Sequence, residues 1–147
     1  MKRREMLQGL GIIAAAAATS KALSAQDAAH HHVHGAAPNQ ALVNAANDCV
    51  KTGDVCLAHC LDLLATGDKS LGDCAKSVNE LRATCGALAS LAAQSAPSLS
   101  NMASLAAKVC KTCETACRKH EKEHAPCKAC AEACAACETE CNKVATA

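Results

Sequence analysis

The feature that most constrains this chain is the spacing of its cysteines. Cys127, Cys130, Cys134, Cys137 and Cys141 follow one another at intervals of three, four, three and four. That is the a/d rhythm of a helix seam, so five thiols fall on one side of a single helix. Cys110, Cys113 and Cys117 repeat it upstream. Cys49, Cys56 and Cys60 are separated by seven and four, and Cys74 and Cys85 by eleven, about three helical turns. All thirteen cysteines therefore lie where helices of a bundle turn toward one another. A core normally built from Leu, Ile and Phe is replaced here, in large part, by sulfur.

The 147 residues contain no Phe, Tyr or Trp, and the apolar content is mostly Ala, Leu, Val and Cys. Ala and Leu favour helix, and runs of β-branched and aromatic residues suited to strands are missing. The chain reads as all-α, with length for one domain. Thirteen cysteines in 147 residues would ordinarily suggest a disulfide scaffold. The odd count leaves at least one thiol unpaired. Helical neighbours at i+3 and i+4 also have Cβ atoms about 5–6 Å apart, beyond the roughly 3.8 Å a disulfide prefers.

Residues 1–25 read as a targeting segment: a basic start at Lys2, Arg3 and Arg4, an Ala-rich stretch from Leu10 to Ala18, and small residues at Ala22-Leu23-Ser24-Ala25. The stretch is too short and too weakly apolar for a membrane span. Arg3-Arg4 followed by Glu5-Met6-Leu7 has the look of a twin-arginine signal, which implies export to the periplasm or otherwise beyond the cytosol, with cleavage near residues 24–26. Without the leader the chain has eleven basic and thirteen acidic residues, net −2. That balance offers no nucleic-acid footprint and no polybasic membrane anchor. Residues 26–38, with the His30-His31-His32-Val33-His34 tract, lack an apolar period and read as a disordered tail able to bind metal.

Residues 39–147 read as four helices. The first spans about Asn39 to Thr66, ended by Gly67, with Gly53 inside it at a cost of about 1 kcal/mol relative to Ala. The second starts at Ser70 with Asp73 in a capping-box arrangement and reaches about Gln94 before Pro97. Ser98 caps the third, which reaches about His120, and Pro126 opens the fourth, which reaches about Val144. Short connections make sequence neighbours antiparallel, an up-down-up-down four-helix bundle. In that threading Leu88, Leu91, Leu99 and Met102 close one end. Cys60, Cys74, Cys117 and Cys127 reach the rim at the other, near His59 and His120. The thiol column extends about 20 Å from Cys127 to Cys141.

Thiolates are soft ligands for Cu(I), Zn(II) and iron–sulfur clusters. Zn(II) takes four ligands in a tetrahedron, which a straight stripe does not readily provide. Two-coordinate Cu(I) needs only a pair, and i/i+3 and i/i+4 neighbours supply pairs along the whole stripe. If each thiolate bridges two ions, loading approaches one Cu(I) per cysteine and the buried charge cancels. Iron–sulfur sites usually draw four cysteines from loops rather than from continuous helices. The bland alternative, Cys as a small buried hydrophobe, accounts for a few positions but not for eight of eight seam positions across Cys110–Cys117 and Cys127–Cys141. Cys49 and Cys85, standing alone, are more open to it.

The Cys127-Lys-Ala-Cys-Ala-Glu-Ala-Cys-Ala-Ala-Cys-Glu-Thr-Glu-Cys141 run, the Cys-lined helices and the twin-arginine leader resemble the exported copper storage proteins of bacteria. The resemblance covers the chain from Ala41 on. It implies a four-helix bundle holding many Cu(I) ions, often as a homotetramer, with all thirteen cysteines as ligands: Cys49, Cys56, Cys60, Cys74, Cys85, Cys110, Cys113, Cys117, Cys127, Cys130, Cys134, Cys137 and Cys141. His59, one residue before Cys60, matches the histidine such proteins place near the open end and is added to the ligand set. Some exported relatives also place methionines there, where this chain has Leu63, Thr66 and Leu71. His120 and His124, in a charged loop, read as solvent-exposed.

The leading function is storage and sequestration of Cu(I), not catalysis, since no Cys/His/Asp constellation for a thiol nucleophile stands out. The alternatives are a zinc- or cadmium-buffering, metallothionein-like protein and an iron–sulfur electron carrier.

Overall fold

The computed structural model describes residues 38–146. The expected targeting segment at residues 1–25 and the histidine tract lie outside the described residues. Four helices follow in order: α1 (Gln40–Ala65), α2 (Gly72–Ala93), α3 (Leu99–Arg118) and α4 (Ala125–Ala145). No strand occurs among the described residues, and no helix there is long and apolar enough to cross a membrane.

Each helix forms because its seam keeps the three–four rhythm. In α1 the buried positions are Leu42, Ala46, Cys49, Gly53, Cys56 and Cys60, an unbroken alternation of four and three. In α3 they include Leu99, Ala103, Ala106, Cys110, Cys113 and Cys117, and in α4 all five cysteines with Ala131. Each helix packs on its sequence neighbours, and α4 closes the ring against α1. The directions alternate, because Cys49, Cys85, Cys110 and Cys137 share one layer while Cys60, Cys74 and Cys127 share another. This is the antiparallel up-down-up-down bundle that the short connections imply.

The helix ends show where local sequence chemistry acts. Gly67 has φ 93°. Its N–H donates to Leu64 O at 3.1 Å and that of Asp68 to Leu63 O at 3.2 Å, the Schellman pattern expected of a glycine past a helix end. α2 ends the same way without a glycine: Ser95 takes φ 48°, Ser95 N–H donates to Ala92 O and Ala96 N–H to Leu91 O. The serine caps differ from expectation. α2 begins at Gly72 after Leu71, and Ser70 N–H donates instead to Asp68 Oδ1 at 2.9 Å, so Ser70 belongs to the turn. Ser98 does sit at the N-cap of α3, but with no side-chain cap hydrogen bond. α3 stops at Arg118, two residues short of His120.

Gly53 lies in α1 against side chains of α2. A Cβ there would sit 2.9 Å from Arg82 Cγ and 3.5 Å from Val78 Cγ1. The glycine that weakens the helix locally therefore lets α2 approach, with the Arg82 guanidinium then reaching the Asp54 carboxylate.

The core divides along its length. At one end Leu42, Ala46, Leu88, Ala92, Leu99, Ala103 and Ala106 are buried, with Leu91 and Met102 packed against them. Asn39 Nδ2 reaches Ala92 O and Ser95 Oγ at 3.5 and 3.4 Å, tying the start of α1 to the end of α2. Along the rest of the core the thirteen cysteines are interleaved with a few aliphatic side chains, among them Leu71, Val78 and Leu81.

Candidate metal centre

All thirteen cysteines are free and buried, none more than 1% exposed. The helices bring their sulfurs together across the bundle axis. Cys74 and Cys117 Sγ lie 3.4 Å apart, Cys56 and Cys127 3.8 Å, Cys85 and Cys110 3.9 Å, and Cys113 and Cys130 4.0 Å. Along single helices Cys113–Cys117 and Cys137–Cys141 are each 3.9 Å apart. The column is thus connected both within and between helices.

Four groups have every sulfur within 4.8 Å of every other: Cys49, Cys85, Cys110 and Cys137; Cys56, Cys60, Cys74 and Cys127; Cys56, Cys117 and Cys130; and Cys113, Cys130 and Cys134. The first takes one cysteine from each helix. A stripe on one helix cannot surround an ion, but four stripes facing inward can, which corrects the expectation that the core would not readily offer tetrahedral sites. Every cysteine of the predicted set except Cys141 belongs to one of these groups, and Cys141 joins through Cys137. Cys49 and Cys85, the two whose spacing alone says least, prove to be half of the deep four-thiol layer.

Two further expectations change. The thiols at the α1–α2 end do not reach an open rim: Cys60 and Cys127 are 0% and Cys74 is 1% exposed. Leu71 is fully buried at the start of α2, and Leu63 and Leu64 pack on the same core. His120 and His124 are half-buried rather than solvent-exposed. His124 Nδ1 lies 3.0 Å from His59 Nε2, joining α1 to the start of α4. Position in a charged loop hid this contact, because nothing local to His124 announces a partner 65 residues away.

Removal from water governs two of the thiols at this end. Burial is the first cause pushing Cys60 and Cys127 above the ordinary thiol value of 9.0, with the neighbouring sulfurs of Cys74 and Cys56 adding to it. Deeper in, Cys113 is held below that value because Cys117, Cys130 and Cys134 hydrogen-bond to its sulfur. Metal binds the thiolate form, so each ion that enters such a cluster releases thiol protons.

The profile of the copper storage protein family matches residues 35–146. The chain belongs to the copper storage protein family. The bundle is similar to solved structures of that family. Apo copper storage protein 3 from Bacillus subtilis has a TM-score of 0.64 at 29% identity, over 73% of this chain and 98% of that one. The Cu(I)-bound form of the Bacillus protein gives 0.66 at 29% identity, over 73% and 97%. The copper storage protein Ccsp from Streptomyces lividans, loaded with 10 copper equivalents, gives 0.68 at 23% identity, over 74% and 84%, a likeness of fold. No functionally curated protein matches the sequence.

Proposed function

We propose that this chain stores Cu(I) in its sulfur core at a loading on the order of one ion per cysteine, with the thirteen cysteines as ligands and His59 at the mouth. The observation that carries the reading is the connected network of buried sulfurs, spaced 3.4–4.0 Å across and along helices. Two-coordinate Cu(I) bridges neighbouring sulfurs of this kind with little rearrangement. Each ion entering displaces one thiol proton, so the loaded core is close to neutral and the cost of buried charge is small. The likeness to the Cu(I)-bound Bacillus protein supports the same metal here. The storage reading is supported by a core in which the thiols of all four helices face one another.

Export is part of the proposal and rests on the leader at residues 1–25. Cell fractionation with N-terminal sequencing tests it. Homotetramer formation is carried by the resemblance alone and is tested by light scattering on apo and loaded protein. The deciding measurement is anaerobic Cu(I) titration of the reduced protein against a competing chelator, with metal analysis. Saturation near the number of cysteines is expected; saturation at three or four ions overturns storage and leaves discrete sites. A brown, iron-containing protein on isolation would favour the electron-carrier alternative.

A further inference from the structure

Two of the sulfur groups have a property that a copper column does not require. Cys49, Cys85, Cys110 and Cys137 form one set of four, Cys56, Cys60, Cys74 and Cys127 another, and the two share no sulfur. A tetrahedral ion with metal–sulfur bonds of about 2.3 Å needs sulfurs about 3.8 Å apart. Within each set they already lie within 4.8 Å of one another, so closure takes about 1 Å of side-chain adjustment. The remaining two groups offer three sulfurs each and share Cys130. The core therefore has room for two four-coordinate ions with unshared ligands, against on the order of a dozen two-coordinate ones.

Charge separates the two. A divalent ion held by four thiolates carries two net negative charges, which are costly to bury. The layer of Cys49, Cys85, Cys110 and Cys137 lies deep in the bundle, and the Cys49 thiol there donates to Ala133 O at 3.3 Å, a carbonyl that disfavours a thiolate. The other layer is placed better. Cys74 and Cys127 are each the third residue of their helices, where the N-terminal partial positive charge offsets part of the cost of burying a thiolate. His59 and His124, which meet at 3.0 Å, precede Cys60 and Cys127 by one and three residues.

We propose that Cys56, Cys60, Cys74 and Cys127 form a tetrahedral site for a divalent ion of the Zn(II) class, which clamps α1, α2 and α4 and plugs the mouth of the copper column until Cu(I) displaces it. Displacement balances without redox chemistry: Cu(I) ions take over the four thiolates, Zn(II) leaves, and the excess negative charge falls toward zero. The ligand site stands on the geometry alone; its effect on copper rests on the storage reading.

Co(II), a spectroscopic stand-in for Zn(II), tests the site in the reduced apo-protein. The first equivalent should give intense thiolate-to-metal absorption and the visible bands of tetrahedral coordination, and one equivalent of Zn(II) should bleach both. Cys127→Ser and Cys74→Ser should weaken the first ion's affinity on the order of 100-fold or more, while Cys110→Ser, in the deep layer, keeps the first-equivalent spectrum. Circular dichroism confirms that each variant is folded. In stopped-flow mixing with Cu(I), Zn(II)-loaded protein should take up its first copper on the order of tenfold more slowly than apo-protein, and Cys127→Ser should erase the difference. A first-equivalent spectrum without thiolate absorption, or one surviving in both mouth variants, overturns the site. Equal copper uptake with and without Zn(II) overturns the plug. A failed copper titration with the Co(II) spectrum intact would instead sink the storage reading and leave the divalent site standing.

Discussion

The two ends of this bundle are built from the same helices and the same seam rhythm, yet they do opposite work. At the aliphatic end the seam positions hold Leu42, Leu88, Leu99 and small alanines, whose burial stabilises the bundle whether or not metal is present. At the thiol end the equivalent positions hold Cys56, Cys60, Cys74, Cys117 and Cys127, which are smaller, polarizable and able to exchange partners. One end supplies a metal-independent clamp, the other a deformable ligand set. A storage protein needs both, because any hold that exchanging ligands give the helices lasts only as long as the ion they bind, whereas the aliphatic end holds at every stage of loading.

The comparison breaks most readily at Leu88. It is fully buried at the aliphatic end, so Leu88→Ala should cost the apo-protein about 2–5 kcal/mol in chemical denaturation, with Cu(I) capacity close to the parent. Equal losses of stability and capacity would show that the two ends are not separable. Because the clamp does not depend on metal, apo-protein should also be helical by circular dichroism, unlike small zinc domains that fold only when loaded. A coil spectrum would contradict the division of labour.

A pH series sharpens it from the thiol side. The raised pKa values of Cys60 and Cys127 mean that the folded state disfavours their ionisation, while thiols of the unfolded chain ionise near 9.0. Their contribution to apo stability is therefore fully present below pH 9 and is lost as pH rises through and beyond it. Denaturation midpoints measured from pH 7 to 10.5 should fall at the alkaline end for apo-protein and much less for copper-loaded protein, whose sulfurs hold metal instead of protons. A flat apo profile would mean the mouth thiols are not held out of water.

A smaller effect is expected at His59. Since His59 contacts His124 across the α1–α4 seam, His59→Ala should change the rate of copper uptake or release while leaving the saturating stoichiometry within about one ion of the parent. A bulkier side chain at Leu99, at the opposite end, should leave the exchange rate alone as long as the protein folds. The reverse pattern would mean that copper enters past the aliphatic clamp. The smallest effect is expected on the surface, where Asp54→Asn removes the partner of Arg82; a part-exposed pair of this kind contributes up to about 1 kcal/mol, read as a small shift in thermal midpoint with no change in copper binding.

The sequence alone determined what lies within each helix. The three–four spacing of Cys127 through Cys141 required a continuous helix with its sulfurs on one side, Gly67 and Pro126 marked helix ends, and the absence of aromatic residues left sulfur and small aliphatics to fill the core. Short connections then made the chain fold back on itself, which was enough to bring Cys74 near Cys117 and to gather Leu88, Leu91, Leu99 and Met102 at the far end. Those are consequences of periodicity and connection length, and both are local. Tertiary structure decided what depends on the relative rotation and height of helices from distant parts of the chain. Four sulfurs from four helices form one layer at Cys49, Cys85, Cys110 and Cys137. His124 turns to His59, and Leu71 is buried at the mouth where a rim of open thiols was expected. Spacing along one helix reports the direction in which a side chain points. What that side chain meets is set by the packing of all four helices at once, with Gly53 letting α2 approach α1 and the aliphatic end holding the register in which the sulfurs face each other.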